Sequence, residues 1–198
     1  ADGQKGDARP LGEPGSRFEY NDVRINQLSL ALLNVFKRPL PEVFEEFFRQ
    51  PLGCSDAFQW VGYEQGWTEV NGQRMMSVPG GSHWGGGVSI SAMDQALIGL
   101  MLMGQGQFKG QQILSKKWLE MMQQPCDIAP YYGYLIWLNK DGALFKDAPR
   151  SSWFAIGAGS SITWVDPELE LVCIMRWIDA DKTNDCIARV MQSLTRSG

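Results

Sequence analysis

Residues 14–22 read Pro-Gly-Ser-Arg-Phe-Glu-Tyr-Asn-Asp, and this stretch decides the fold of the chain. Its proline, glycine and serine are typical of a turn. After Asp22 the apolar residues recur at the spacing of an amphipathic helix, which ends at Arg38-Pro39. The stretch therefore predicts a turn that delivers Tyr20 to the start of a long helix, with Asp22 well placed to cap it.

The rest of the chain divides into two regions with different patterns. Residues 1–21 are predicted as a loop leading to Tyr20, and residues 22–125 as a mainly helical region with a glycine-rich loop at 79–87. Residues 126–198 are predicted to form antiparallel strands and a terminal helix. Helices followed by an antiparallel meander indicate the α+β class and not alternating βαβ units.

Local signals predict the individual elements. A second helix follows Pro41 and stops before Pro51, Asn71-Gly72 indicates a hairpin, and Ser91-Ala-Met-Asp94 is a capping box that opens a helix to about Met103. Ser115 caps a short helix, and residues 182–196 close the chain as a helix with Leu194 among its inward-facing positions. The predicted strands are Tyr132–Leu138, Trp153–Ile156, Ser161–Val165 and Leu169–Ile178, with a turn at Asp166-Pro-Glu168.

Composition excludes several classes of protein. The chain has 198 residues, of which 44% are hydrophobic and 20% charged, which is typical of a globular domain. A net charge of −4 argues against binding to nucleic acid, and no apolar run is long enough to span a membrane. The single histidine and four cysteines have no zinc-site spacing, so we expect no metal and interpret the cysteines as buried thiols.

Four segments together resemble the serine β-lactamase and penicillin-binding-protein superfamily, in particular its class C β-lactamase-like group of carboxylesterases and 6-aminohexanoate-oligomer hydrolases. The resemblance covers nearly the whole chain and implies a β-lactamase/transpeptidase-like fold that lacks its N-terminal part. The segments are residues 14–22, the Gly80–Gly87 loop that leads into Ser91, the helix start at Ile113-Leu-Ser115, and Phe154-Ala-Ile-Gly157-Ala-Gly159-Ser160-Ser161 before Trp164.

The resemblance implies catalytic roles for three residues. Tyr20 matches the tyrosine that shuttles a proton between the nucleophilic serine and the leaving group. Asp22 falls where the family commonly has asparagine, so it is either an orienting group or only a helix cap. The N–H of Ser160 would supply half of the oxyanion hole, and no metal or organic cofactor is expected.

Further residues are expected to contact the substrate. Gly157 and Gly159 would let a substrate lie close to the strand, although a strand with a glycine bulge is the alternative. His83 is either a contact of the site or part of the loop structure. Trp84 and Trp153, with Trp60, form an acyl-group wall or simply pack.

The nucleophile motif of that family, Ser-x-x-Lys, does not occur, because no lysine has a serine three positions before it. We therefore expect a C-terminal fragment of a serine hydrolase that cleaves carboxylic esters, small amides or β-lactams, inactive by itself and completed by an N-terminal segment or chain carrying the motif. The alternative is a non-catalytic, penicillin-binding-like ligand-binding or structural module. The substrate and the cellular compartment stay open.

Overall fold

The structure, a computed structural model, describes residues 12–81 and 87–195. Its α-helices are α1 (Asp22–Phe36), α2 (Leu40–Phe44), α3 (Gln50–Leu52), α4 (Ala92–Met103), α5 (Lys116–Met122) and α6 (Thr183–Thr195). Its strands are β1 (Gln59–Val61), β2 (Trp67–Val70), β3 (Gln73–Met76), β4 (Gly87–Ser89), β5 (Gln107–Phe108), β6 (Gln111–Gln112), β7 (Trp137–Leu138), β8 (Trp153–Gly157), β9 (Ser161–Asp166) and β10 (Leu171–Met175).

The centre of the fold is a four-stranded antiparallel sheet in the order β10-β9-β8-β7. Helix α4 packs on one face of it against β9 and β10. Helix α6 packs on the other face, where Ile187 joins a core that contains Phe154 and Trp164. This arrangement confirms the predicted α+β class, with a helical region ahead of an antiparallel meander and a helix at the end.

Helix α1 has the predicted extent, but its cap differs from the prediction. The side chain of Asn21 accepts hydrogen bonds from the N–H groups of Val23 and Arg24, and Asp22 is the first helical residue. Asparagine caps as well as aspartate, and its extended backbone here places the amide oxygen over the helix start. Asp22 is thereby left free of the capping role.

The second helical segment is longer than the sequence indicates. It begins at Leu40, before Pro41, and passes through a π-helical turn at Glu45–Arg49 into α3, which ends at Gly53. A proline inside a helix lacks the N–H that the α-helical ladder needs, and the wider turn just before Pro51 accommodates that loss. The prediction that this helix stops before Pro51 was wrong.

Two local predictions are confirmed. Asn71 and Gly72 both have positive φ and join β2 to β3 as a tight hairpin. The hydroxyl of Ser91 accepts from the N–H of Asp94 at the start of α4. The Asp94 carboxylate is buried and accepts from the N–H and hydroxyl of Ser55, so it ties the loop after α3 to α4.

The strands are shorter than predicted at two places. Residue 132 bridges back to Trp137, and Leu135 has a left-handed φ of 60°, so residues 132–137 fold on themselves and only Trp137–Leu138 joins the sheet. The strand predicted to run to Ile178 ends at Met175. In α6, Leu194 is 42% exposed, so the prediction that it faces inward was wrong.

Two smaller points complete the description. All four cysteines are free thiols of intermediate exposure, which makes them half-buried where the sequence predicts buried. Within residues 12–81 and 87–195, no helix has both the length and the apolar character needed to cross a membrane.

Candidate active-site groove

A groove runs between α1 and the end of the sheet at which β8 finishes. It consists of an outer cavity of about 720 Å³ and an inner cavity of about 390 Å³. The cavities share one wall from the start of α1, one from the loop before β4 and one from the β8–β9 end: Tyr20, Asp22, Gly80, Gly81, Val88, Ile156, Gly157 and Ser161.

Tyr20 stands at the mouth of the groove. Its ring lies edge-on to Tyr132, at 6.2 Å between centroids, and 5.5 Å from Trp137, while 57% of the residue stays exposed. Partial burial raises the pKa of the Tyr20 phenol, and the negative charge of Asp22 raises it further. With the described residues alone Tyr20 is therefore a proton donor at neutral pH, and it can act as a base only if a cation joins it.

Tyr132 is a second phenol beside the first. Burial raises its pKa to about 12, with a smaller contribution from Tyr20. Its ring packs edge-on against Trp137 at 4.8 Å. Tyr132 and Trp137 thus hold the ring of Tyr20, and the sequence reasoning missed both of them. The available signal was the aromatic density of residues 131–137 just ahead of a strand.

Asp22 reaches the groove because Asn21, and not Asp22, caps α1. The loop at Gly80 and Gly81 is fastened to the same helix, since both N–H groups donate to the amide oxygen of Asn26. A Cβ atom at Gly81 would lie 2.8 Å from the Cα of Asp22. The sequence thus needs glycine at 81 for the loop to approach the start of α1 this closely.

The end of β8 carries the predicted glycine motif. Gly157 pairs with Ser161 across the β8–β9 turn, and both line the two cavities. The turn itself is a 3₁₀ segment, Ala158–Ser160, in which Gly159 and Ser160 have φ values of 68° and 52°. Ser160 itself does not line either cavity, whereas Ser161 lines both.

A tryptophan braces this turn from outside the groove. The N–H of Trp177 donates to the carbonyl of Gly159 at 3.1 Å. A Cβ atom at Gly159 would lie only 2.5 Å from the Trp177 ring, so the ring sits directly over that glycine. Trp177 is 85% exposed and has a left-handed φ of 57°, which is unusual for a bulky residue.

The tryptophans are arranged differently from the prediction. Trp153 is 2% exposed and packs in a core cluster with Leu138 and Val165, so it does not form a wall of the groove. It points to the α4 side of the sheet, where the helix covers it. The aromatic walls are Trp60, whose indole donates to the carbonyl of Pro79 at 2.9 Å, and Trp137.

His83 and Trp84 lie outside the described residues, so their expected contacts with the site stay predictions. In the described part of the chain, no cluster of three histidine, cysteine or acidic side chains could hold a metal ion.

Comparison with known proteins identifies the fold. No family model and no curated protein matches the sequence. Among solved structures, "Putative 6-aminohexanoate-dimer hydrolase from Bacillus anthracis" superposes with a TM-score of 0.68 at 17% identity, over 94% of this chain and 45% of the other. A second, "Crystal structure of putative beta-lactamase from Bacteroides dorei DSM 17855", gives 0.65 at 14% identity, over 94% and 60%.

The chain has a β-lactamase-like fold. The fold expected from the four sequence segments is therefore confirmed. At these identities the likeness concerns the fold alone, and activity has to be argued from the groove. The chain spans about half the length of the structures that it matches, which is consistent with the C-terminal portion of a β-lactamase-like fold.

Proposed function

We propose that this chain forms the C-terminal part of the active site of a serine hydrolase that acts on carboxylic esters or small amides, β-lactams included. The observation that carries the proposal is the groove itself. It brings Tyr20 and Asp22, at the start of α1, to the same cavities as the glycine end of β8, although about 135 residues lie between them in the sequence.

The proposed chemistry is acyl transfer in two steps. A serine hydroxyl from outside this sequence attacks the carbonyl carbon, Tyr20 accepts its proton, and the proton passes to the leaving alcohol or amine as the ester or amide bond breaks. Water then cleaves the acyl-enzyme and releases the acid. The N–H of Ser160 would donate to the carbonyl oxygen as it becomes negative. Asp22 would orient the groups around Tyr20.

The raised pKa of Tyr20 supports a missing cation at this place. A phenol held above its usual pKa by burial and by Asp22 does not accept a proton readily. A lysine ammonium beside both groups would pair with the Asp22 carboxylate and stabilise the Tyr20 phenolate. Ser-x-x-Lys would bring such a lysine with the nucleophile, because residues three apart share a helix face.

Two exposed surfaces support an additional segment of polypeptide as the partner. Strand β10, Leu-Val-Cys-Ile-Met, is an edge of the central sheet and has no second strand partner among the described residues. Helix α1 exposes a row of large apolar side chains: Val23, Leu28, Leu30, Leu32, Val35 and Phe36. We propose that an N-terminal segment or companion chain covers these surfaces and carries Ser-x-x-Lys.

The second candidate is a ligand-binding module without turnover. It is favoured by the absence of Ser-x-x-Lys from the sequence. In this case the groove would hold an ester, amide or β-lactam, and Tyr20 would act only as a hydrogen-bond donor.

Intact-mass spectrometry with a fluorophosphonate separates the two candidates. The sample is the polypeptide encoded by the complete reading frame, before and after incubation, with Tyr20→Phe as the comparison. An adduct on a serine upstream of this sequence, formed much more slowly in the Tyr20→Phe protein, supports the hydrolase. No adduct on the intact protein favours the binding module.

A further inference from the structure

An arginine stands behind the inner cavity and takes no part in the chemistry proposed above. Arg176 follows β10 directly. In the β9–β10 register Ile174 lies opposite Thr163, and side chains two residues apart share a face, so Arg176 lies on the α4 side of the sheet. This is the face against which the inner cavity opens.

A hydrogen-bonded row holds the arginine in place. Its Nε and Nη2 donate to Oε1 of Gln95 at 2.9 and 2.5 Å. The Nε2 of Gln95 donates in turn to the hydroxyl of Thr163 at 2.8 Å. Gln95 and Thr163 both line the inner cavity, so the guanidinium is one amide group away from it.

The charge of Arg176 has no counter-ion. No carboxylate of the residues that the structure describes lies within 4.0 Å of it. A guanidinium has five N–H donors, and here the two bonds to Gln95 leave Nη1 without a protein acceptor. A half-buried arginine is normally paired, because its fork of donors matches a carboxylate.

The groove is therefore electrostatically asymmetric. The carboxylate of Asp22 lines it on the α1 wall, whereas the guanidinium lies behind the wall formed by α4 and β10. An anionic group entering the inner cavity is repelled by Asp22 and attracted by Arg176. This asymmetry orients an anionic ligand in one direction.

We propose that Arg176, positioned by Gln95, binds the carboxylate of an anionic ligand in the inner cavity. The inference rests on the proposed function and narrows it to esters or amides that carry a carboxylate away from the bond to be cleaved. Arg176 is then a specificity residue, and Gln95 is its positioning residue.

Hexanoate and its neutral isostere hexanamide test this inference directly. Their binding to the complete polypeptide is measured by NMR titration and by calorimetry, in wild type, Arg176→Gln and Arg176→Lys. The matched control is Arg74→Gln, because Arg74 is an exposed arginine that stacks on Trp67 and its loss changes the net charge equally. Neither probe is an ester, so binding requires no serine.

Wild type is expected to prefer hexanoate to hexanamide, and Arg176→Gln to weaken hexanoate about 10- to 100-fold without changing hexanamide. Arg176→Lys should recover part of the loss, and Arg74→Gln should bind like wild type. Equal binding of the two probes by wild type, or of hexanoate by wild type and Arg176→Gln, overturns the proposal.

Two further outcomes are decisive. If Arg176→Gln does not fold, the salt dependence of hexanoate binding by wild type decides, and binding that salt leaves unchanged overturns the proposal. A less stable Arg176→Gln with unaltered hexanoate binding also overturns it and assigns the arginine to a contact with neighbouring polypeptide. Fluorophosphonate labelling is read separately, so failure of the hydrolase proposal is distinguishable from failure of this one.

Discussion

Two glycines of the β8–β9 turn should respond in opposite ways to the same methyl group. Gly157 has φ −111°, which any residue adopts, and a Cβ atom there would meet Ser161 at an ordinary 3.6 Å. Gly159 has φ 68°, and its Cβ atom would lie 2.5 Å from the ring of Trp177. We predict that Gly159→Ala destabilises the chain and that Gly157→Ala does not.

The magnitudes follow from these geometries. A left-handed backbone costs a residue with a Cβ about 1–2 kcal/mol, so Gly159→Ala should lose at least that amount of unfolding free energy. The steric part adds less, because the Trp177 ring is 85% exposed and can move away. Gly157→Ala should gain about 0.4–1 kcal/mol, since alanine lowers the entropy of the unfolded chain.

The assay is urea unfolding of the complete polypeptide, followed by circular dichroism. With a slope of about 2 kcal/mol/M, Gly159→Ala lowers the midpoint by about 0.5–1 M. The double variant with Trp177→Ala isolates the clash, because the cost of Gly159→Ala should fall by about 0.5 kcal/mol or more when the ring is absent. A Gly159→Ala protein as stable as wild type would refute the backbone argument. An equal cost with and without Trp177 would refute the packing of the ring on the turn.

Three other predictions concern residues around the groove. Asn139→Ala should cost about 2–5 kcal/mol of unfolding free energy, because the buried Asn139 amide satisfies two N–H and three carbonyl groups of the 144–149 loop; an Asn139→Ala protein with the wild-type urea midpoint would contradict this. Burial alone would raise the pKa of Asp94, but the hydrogen bonds from Ser55 and Ser91 bring it below its usual value, so the native state binds fewer protons than the unfolded state and stability should fall as pH drops below about 3.9. Thermal melting against pH checks this, and Ser55→Ala should flatten the dependence; an unchanged slope would count against the assignment. The phenolate absorbance of Tyr20, obtained as the difference from Tyr20→Phe, should titrate above pH 10.0 and shift downward in Asp22→Asn, because the repulsive carboxylate is removed; no downward shift would rule out that coupling.

The elements near strong local signals could be predicted from the sequence. Asn71-Gly72 and the Ser91 capping box act over four residues or fewer, so their structures do not depend on distant parts of the chain. The helix around Pro51 could not be predicted in this way, because the π-helical turn that admits the proline is stabilised by its surroundings. The short β7 escaped prediction for a related reason, since residue 132 bonds to Trp137 and not to a neighbouring strand.

The candidate site was only partly predictable. The place of Tyr20 follows from a turn and a helix start that are adjacent in sequence. The tryptophans were assigned in the wrong order, because Trp153 and Trp137 lie on neighbouring strands and the packing of α4 decides which one is covered. Arg176 carried no sequence signal beyond being a charged residue after an apolar strand.

The sequence by itself determined the α+β order of elements, the long helix that begins beside Tyr20, and the glycine motif at the end of β8. These depend on spacing, capping and turn chemistry, which act between near neighbours in the chain. Only the tertiary structure decided that Asp22 would face a groove, that Tyr132 and Trp137 would hold Tyr20, and that Arg176 would stand behind Gln95. Each of these contacts joins residues from different helices and strands. Their positions are set by how those elements pack around one core, and sequence spacing does not contain that information.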